Sequence, residues 1–136
     1  MNSTNLYFDD VLSTHVLIRD WLSGVATAPE HCAGLLARFS PDFTMVAPGG
    51  RQLDHAGLAA FFQGAGGSRP GLQMRLSDLV LIQESAAGAT VSYREFQSMP
   101  GVENTERLST VVYEKTPAGA LLWRHLHETW VAPATA

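Results

Sequence analysis

The stretch LQMRLSDLVLIQESAAGATVSYREFQSM, residues 72–99, decides the fold. Polar and apolar side chains alternate through Ser92-Tyr93-Arg94-Glu95-Phe96-Gln97, and a Leu-, Val- and Ile-rich run precedes Ala86-Ala87-Gly88. Alternation with a period of two sends successive side chains to opposite faces of a sheet. A three-residue link ending in glycine suits the left-handed position of a hairpin loop, so residues 72–85 and 89–99 read as paired strands. The same pattern recurs in ERLSTVVYEK (106–115) and ALLWRHLHETWV (120–131), which flank a Thr-Pro-Ala-Gly link. Strands of ten residues or more imply a strongly curved sheet.

Upstream the period changes. Phe8, Val11, Leu12, His15, Ile18, Leu22 and Val25 recur at three- and four-residue steps, which predicts a helix over 4–24 that Gly24 stops. Pro29 suits the first position of a second helix, PEHCAGLLARF (29–39). FTMVA (43–47), the turn PGG and RQL then predict a short hairpin, and Asp54 caps a third helix, HAGLAAFFQ (55–63). The glycines of GAGGSRPG (64–71) terminate it. They precede a strand and not a helix, so they read as a loop and not as a phosphate cradle. The whole is one α+β domain over 1–136, a cone in which three helices cover the concave face of a curved antiparallel sheet. Its helix-lined mouth is a natural pocket.

Composition narrows the partners. The 136 residues carry a net charge of −4, and Lys115 is the single lysine. Without a basic cluster to neutralise phosphates, nucleic-acid binding is not expected. The N-terminus has neither the basic nor the apolar region of a signal peptide, and no apolar run reaches the ~20 residues of a membrane span. A cytoplasmic protein without membrane contact is the expectation. Cys32 stands alone, excluding an internal disulfide, and reads as a buried small hydrophobe. Hydrophobic residues reach 46% against 16% charged, more apolar surface than one small core hides, which points to a ligand cavity or a homodimer contact.

The element order, FSPDFTMVAPGG (39–50) after the second helix, and a last strand opening on Trp123 with histidines behind it together resemble the nuclear transport factor 2-like superfamily, within it the SnoaL-like group. The resemblance spans residues 4–131 and implies a cystatin-like cone. The superfamily includes ketosteroid isomerases, polyketide cyclases, dehydratases, epoxide hydrolases and non-catalytic proteins, so fold alone does not choose an activity. The isomerase pattern wants an aspartate before the hairpin proline, a tyrosine in the first helix and a protonated aspartate on the penultimate strand. Ala47, Leu17 and Val111 stand there. None can ionise, so that mechanism is not expected.

Other polar chemistry must come from the strands. Pairing Thr116 with Ala120 sets His127 opposite Ser109, His125 opposite Val111 and Trp123 opposite Tyr113. An even register across the preceding link brings Tyr93 and Glu95 beside Ser109 and Arg107. One face then carries Tyr93, Glu95, Arg107, Ser109, Tyr113, Trp123, His125 and His127, a polar and aromatic pocket wall. The other carries Phe96, Leu108, Val112, Leu122 and Leu126 among charges such as Glu128, which suits a homodimer contact. A one-residue bulge would swap part of this assignment. Glu95, His127 and Tyr93 are the catalytic candidates, with Trp123, His125, Ser109, Arg107 and His15 as ligand contacts. His15 lies on the apolar stripe of the first helix and reads as a core histidine within reach of the pocket. His-x-His also aims two imidazoles one way, but with Glu95 the sole third ligand on that face no metal site is assigned. The expected activity is cofactor-free isomerase, cyclase or dehydratase chemistry on a small hydrophobic metabolite. The alternative is a non-catalytic ligand-binding or dimerisation protein.

Overall fold

The structure, a computed structural model, describes residues 5–132. Helix α1 (Leu6–Ser23) begins where the Asn5 side chain accepts hydrogen bonds from the Tyr7 and Phe8 amides, at 2.9 and 3.2 Å. A cap of this kind contributes about 1 kcal/mol. Gly24 closes the helix, as the sequence implies. Pro29 opens α2 (Pro29–Leu36), which stops three residues short of the expected end. The sheet captures the chain there: the Trp123 amide donates to the Arg38 carbonyl at 2.9 Å, and Phe39 starts β1 (Phe39–Val46). After β2 (Gln52–Asp54), Asp54 caps α3 (His55–Ala65) by accepting from the Gly57 amide.

Four long strands follow, β3 (Gln73–Ser85), β4 (Gly88–Met99), β5 (Val102–Lys115) and β6 (Leu121–Trp130). The first link is tighter than expected. Ser85 pairs with Gly88, so the turn is Ala86-Ala87 alone. Gly88 already belongs to the strand at φ 154°, where an added Cβ would collide with the Tyr113 carbonyl oxygen. The link between β4 and β5 is equally tight, because Met99 pairs with Val102 around Pro100-Gly101.

The sheet runs β2-β1-β6-β5-β4-β3. It is mixed and not wholly antiparallel, since β1 and β6 are parallel. The chain leaves β1 through β2 and α3 to the far edge and returns by three hairpins, which brings β6 alongside β1 in the same direction. The three helices pack on this curved, unclosed sheet as the expected α+β cone. Val11, Leu35, Phe43, Val91, Val111 and Trp123 are wholly buried, and Cys32 is buried with its thiol pushed up by desolvation. Gly66 accounts for part of the glycine-rich segment: a Cβ there would sit 2.8 Å from the Trp21 ring, so this loop folds flat against the end of α1. Among the described residues no helix is long and apolar enough to cross a membrane.

The decisive irregularity lies between β5 and β6. Tyr113 faces Trp123, yet Val112 faces His125, so Arg124 is an extra, bulged residue. Everything after it is shifted by one. His127 therefore opposes Thr110 and His125 opposes Val112, which corrects the register expected from unbroken alternation. Leu126 and Glu128 turn inward in their place, a result of the period-two rule once a single residue is inserted.

Candidate functional site

The cone encloses an open cavity of about 230 Å³. Its walls are apolar, with Phe39, Phe43, Phe62, Trp123 and Leu126 prominent. Five polar side chains reach it from the interior: His15 from α1, Glu95 and Gln97 from β4, Arg107 from β5 and Glu128 from β6. The exposed side chains of Arg51 and Arg69 lie at its rim.

Alternation along β4 fixes Glu95 and Gln97 on one face, and the expected register holds there, with Glu95 opposite Arg107 and Tyr93 opposite Ser109. His15 approaches from above. Its Nε2 lies 3.2 Å from Glu95 Oε1, and its Nδ1 lies 2.8 Å from the Val11 carbonyl oxygen. A carbonyl only accepts, so Nδ1 carries a proton. The Nε2–Oε1 contact therefore holds one further proton, on the imidazole or on the carboxyl. Gln97 donates to the other Glu95 oxygen at 2.6 Å.

Burial works against charge on both partners, yet it is outweighed. Burial would lower the His15 pKa, but the Glu95 hydrogen bond and charge carry it above the ordinary imidazole value. Burial would raise Glu95, but His15, the Arg107 charge and Gln97 hold it below the usual carboxylate range. The pair is therefore an imidazolium–carboxylate. Glu128 differs. Burial and the nearby Glu95 charge push it up, against the pull of Arg107, whose Nη1 donates to it at 3.2 Å. Two carboxyl groups facing one cavity thus hold their protons with different strength.

The other expected site residues divide. Arg107 and Trp123 line the cavity. Tyr93 and Ser109 are buried behind the lining; the Tyr93 ring meets His15 edge-on at 5.3 Å. Its phenol is pushed well up by burial and then by the charge of Glu95. His125 and His127 do not line the cavity. His127 is exposed on the outer face, and His125 is half-buried with Nδ1 2.7 Å from Thr44 Oγ1. Burial and the neighbouring His127 lower the His125 pKa. Among the described residues no group of three His, Cys, Asp or Glu side chains converges. The histidine that reaches Glu95 is His15, the one on the apolar helix stripe.

Asp10 was not singled out by sequence. Its Oδ2 accepts from Tyr113 Oη at 2.7 Å and from Trp123 Nε1 at 2.8 Å, and Arg38 lies 3.3 Å from Oδ1. This network ties α1 to β5 and β6 and fixes the Trp123 wall. Burial, then the Asp10 charge, raise the Tyr113 phenol far above its ordinary value, so it stays a donor.

No protein-family model matches this sequence. A nuclear transport factor 2-like protein of unknown function from Pseudomonas aeruginosa is 42% identical, with 93% of this chain and 98% of that one covered and a TM-score of 0.88. A ketosteroid isomerase-like protein from Erwinia carotovora atroseptica shares the fold at a TM-score of 0.62 and 13% identity, over 96% of this chain and all of the other. Among curated proteins, sucrose-phosphatase 2 of Nicotiana tabacum is 28% identical over 133 residues, 93% of this chain. The chain spans 31% of the length of that relative.

Proposed function

This chain belongs to the nuclear transport factor 2-like superfamily, and we propose that it binds a small hydrophobic metabolite and performs cofactor-free acid–base chemistry on it, of the isomerase, cyclase or dehydratase kind. The observation that carries this reading is the 3.2 Å contact between His15 Nε2 and Glu95 Oε1 inside an open, mostly apolar cavity. A carboxylate kept ionised in apolar surroundings is a positioned base. Glu95 takes a proton from the substrate and becomes neutral, and His15 balances the negative charge first on Glu95 and then on the substrate. Glu128, held nearer its protonated form, returns a proton to the developing oxyanion, and Arg107 balances the charge. His15 and Glu128 thus take the part that His127 was expected to play.

The test is exchange. Deuterium uptake at the α-carbon of a small aryl ketone such as 1-indanone, followed by NMR, should accelerate with the protein. It should fall by about 10²-fold or more in Glu95→Gln. Exchange that persists in that variant sinks the base assignment; tight ligand binding with no exchange favours the non-catalytic reading.

The outer sheet face carries the half-buried Phe96, Val112 and Leu122 beside the exposed Val80 and Leu108. We assign this face to pairing with a second copy of the chain. Sedimentation velocity should give a dimer that Leu108→Glu dissociates; a monomeric wild-type chain refutes the assignment.

A further inference from the structure

The chain has eight arginines, all within the described residues. Six are committed. Arg19 pairs with Asp20, Arg38 with Asp10, Arg94 with Asp78 and Glu106, and Arg107 with Glu128. Arg124 donates to the Asp42 carbonyl, and Arg75 lies over the Phe96 ring. Arg51 and Arg69 have no side-chain partner among the described residues, and these two both line the rim of the cavity. They come from different segments, and each is held by its backbone. The Arg51 carbonyl accepts from Ala47 at 2.8 Å, while the Arg69 amide donates to the Leu22 carbonyl at 2.8 Å and its carbonyl accepts from Leu72. Backbone hydrogen bonds thus hold the two turns from which these side chains reach the rim.

We propose that the ligand of this cavity is a small apolar acid, an aryl or alicyclic carboxylate, whose anionic group is held at the rim by Arg51 and Arg69. The inference rests on the pocket reading above. The cavity supports one orientation. At its buried end the cationic side chains His15 and Arg107 are already paired with Glu95 and Glu128, while the aromatic walls accept an uncharged ring and the rim supplies the only arginines without a side-chain partner among the described residues. Guanidinium recognises carboxylate through paired N–H donors, so two arginines suit one such group. At about 230 Å³ the cavity lies below the ~300–1,000 Å³ of common ligand pockets, which limits the ligand to one or two rings. The anionic end outside leaves the uncharged end at His15 and Glu95.

Matched probes test this. Ligand-observed NMR titrations compare 3-phenylpropionate with 3-phenylpropionamide, and 1-naphthoate with 1-naphthamide, which differ in charge and little in shape. At low salt each anion should bind about tenfold more tightly than its amide, and salt near 0.5 M should erode the preference. The Arg51→Gln/Arg69→Gln double variant should abolish the preference by weakening the anions to the affinity of their amides. Equal affinity for acid and amide overturns the anionic ligand and leaves the pocket standing. A preference that survives the double variant overturns the roles of Arg51 and Arg69, and no binding by any probe overturns the ligand class. Loss of exchange in Glu95→Gln is a separate result, since neither rim arginine takes part in it.

Discussion

Glu95→Gln should lower folding stability by about 3 kcal/mol near pH 6, because removing one partner strands the other, largely buried, without its counter-charge. Glu95 is 2% exposed and faces His15, Gln97 and, across the strand pair, Arg107. The amide keeps the shape and the contact with His15 but not the charge. His15 then loses what holds its pKa up and must either shed its proton or stay a lone buried cation.

The pH dependence carries the sign. The folded pKa of His15 is raised, so its contribution is complete below the unfolded imidazole value, about 6.5, and is lost as pH rises through the folded value. That of Glu95 is lowered, so its contribution is complete above the unfolded value, about 4.3, and is lost as pH falls through the folded value. The gap between wild type and variant is therefore widest between those two unfolded values and narrows on either side. Glu128 acts oppositely to Glu95: its raised pKa favours the fold at low pH and weakens it as the carboxyl ionises. Urea denaturation at a series of pH values from 4 to 9 measures all of this. A gap that stays constant across the series would rule out an imidazolium–carboxylate pair.

The fate of the histidines explains how far sequence carries. Local patterning determined α1, the Pro29 start, the Asp54 cap and the even register that places Glu95 beside Arg107, because each depends on neighbours within a few residues. The β5–β6 register did not follow, since WRHLHETW alternates without interruption and Arg124 has no feature that marks a bulge. The signal present was subtler. Trp123 and Leu126, both buried, are three apart, and a spacing of three between inward apolar residues on a strand requires one residue to be absorbed. Burying Leu126 and pairing Glu128 with Arg107 outweighed keeping two imidazoles inside, where each would need a hydrogen-bond partner. His15 was visible as a histidine on an apolar stripe, but its partner lies 80 residues away and only the closed cone reveals it. Asp10 follows the first turn of α1, and no local feature marks it. Its Tyr113 and Trp123 donors are more than a hundred residues distant, so no local pattern could assign it.

Trp123→Ala should cost about 3–5 kcal/mol, the range for truncating a buried aromatic. Trp123 is 1% exposed and lies against Phe39, Tyr113 and His15, with ring centroids at 5.6, 5.5 and 5.9 Å. It is also the last residue of β6 in register before the bulge. Losing the ring therefore removes a cavity wall, a donor to Asp10 and the support beside His15 together. Trp123→Phe separates these contributions. It retains most of the packing and loses the Nε1–H donor, which should cost about 1–3 kcal/mol because an ionised acceptor is left one bond short. If packing dominates, Trp123→Phe lies well above Trp123→Ala in stability, and a second change, Asp10→Asn, adds little to it. Circular dichroism during urea unfolding gives both values. Equal costs for Phe and Ala would mean that the Asp10 bond, not the aromatic cluster, holds β6 in place. The packed ring would then be a consequence of the register set at Arg124 and not a cause of it.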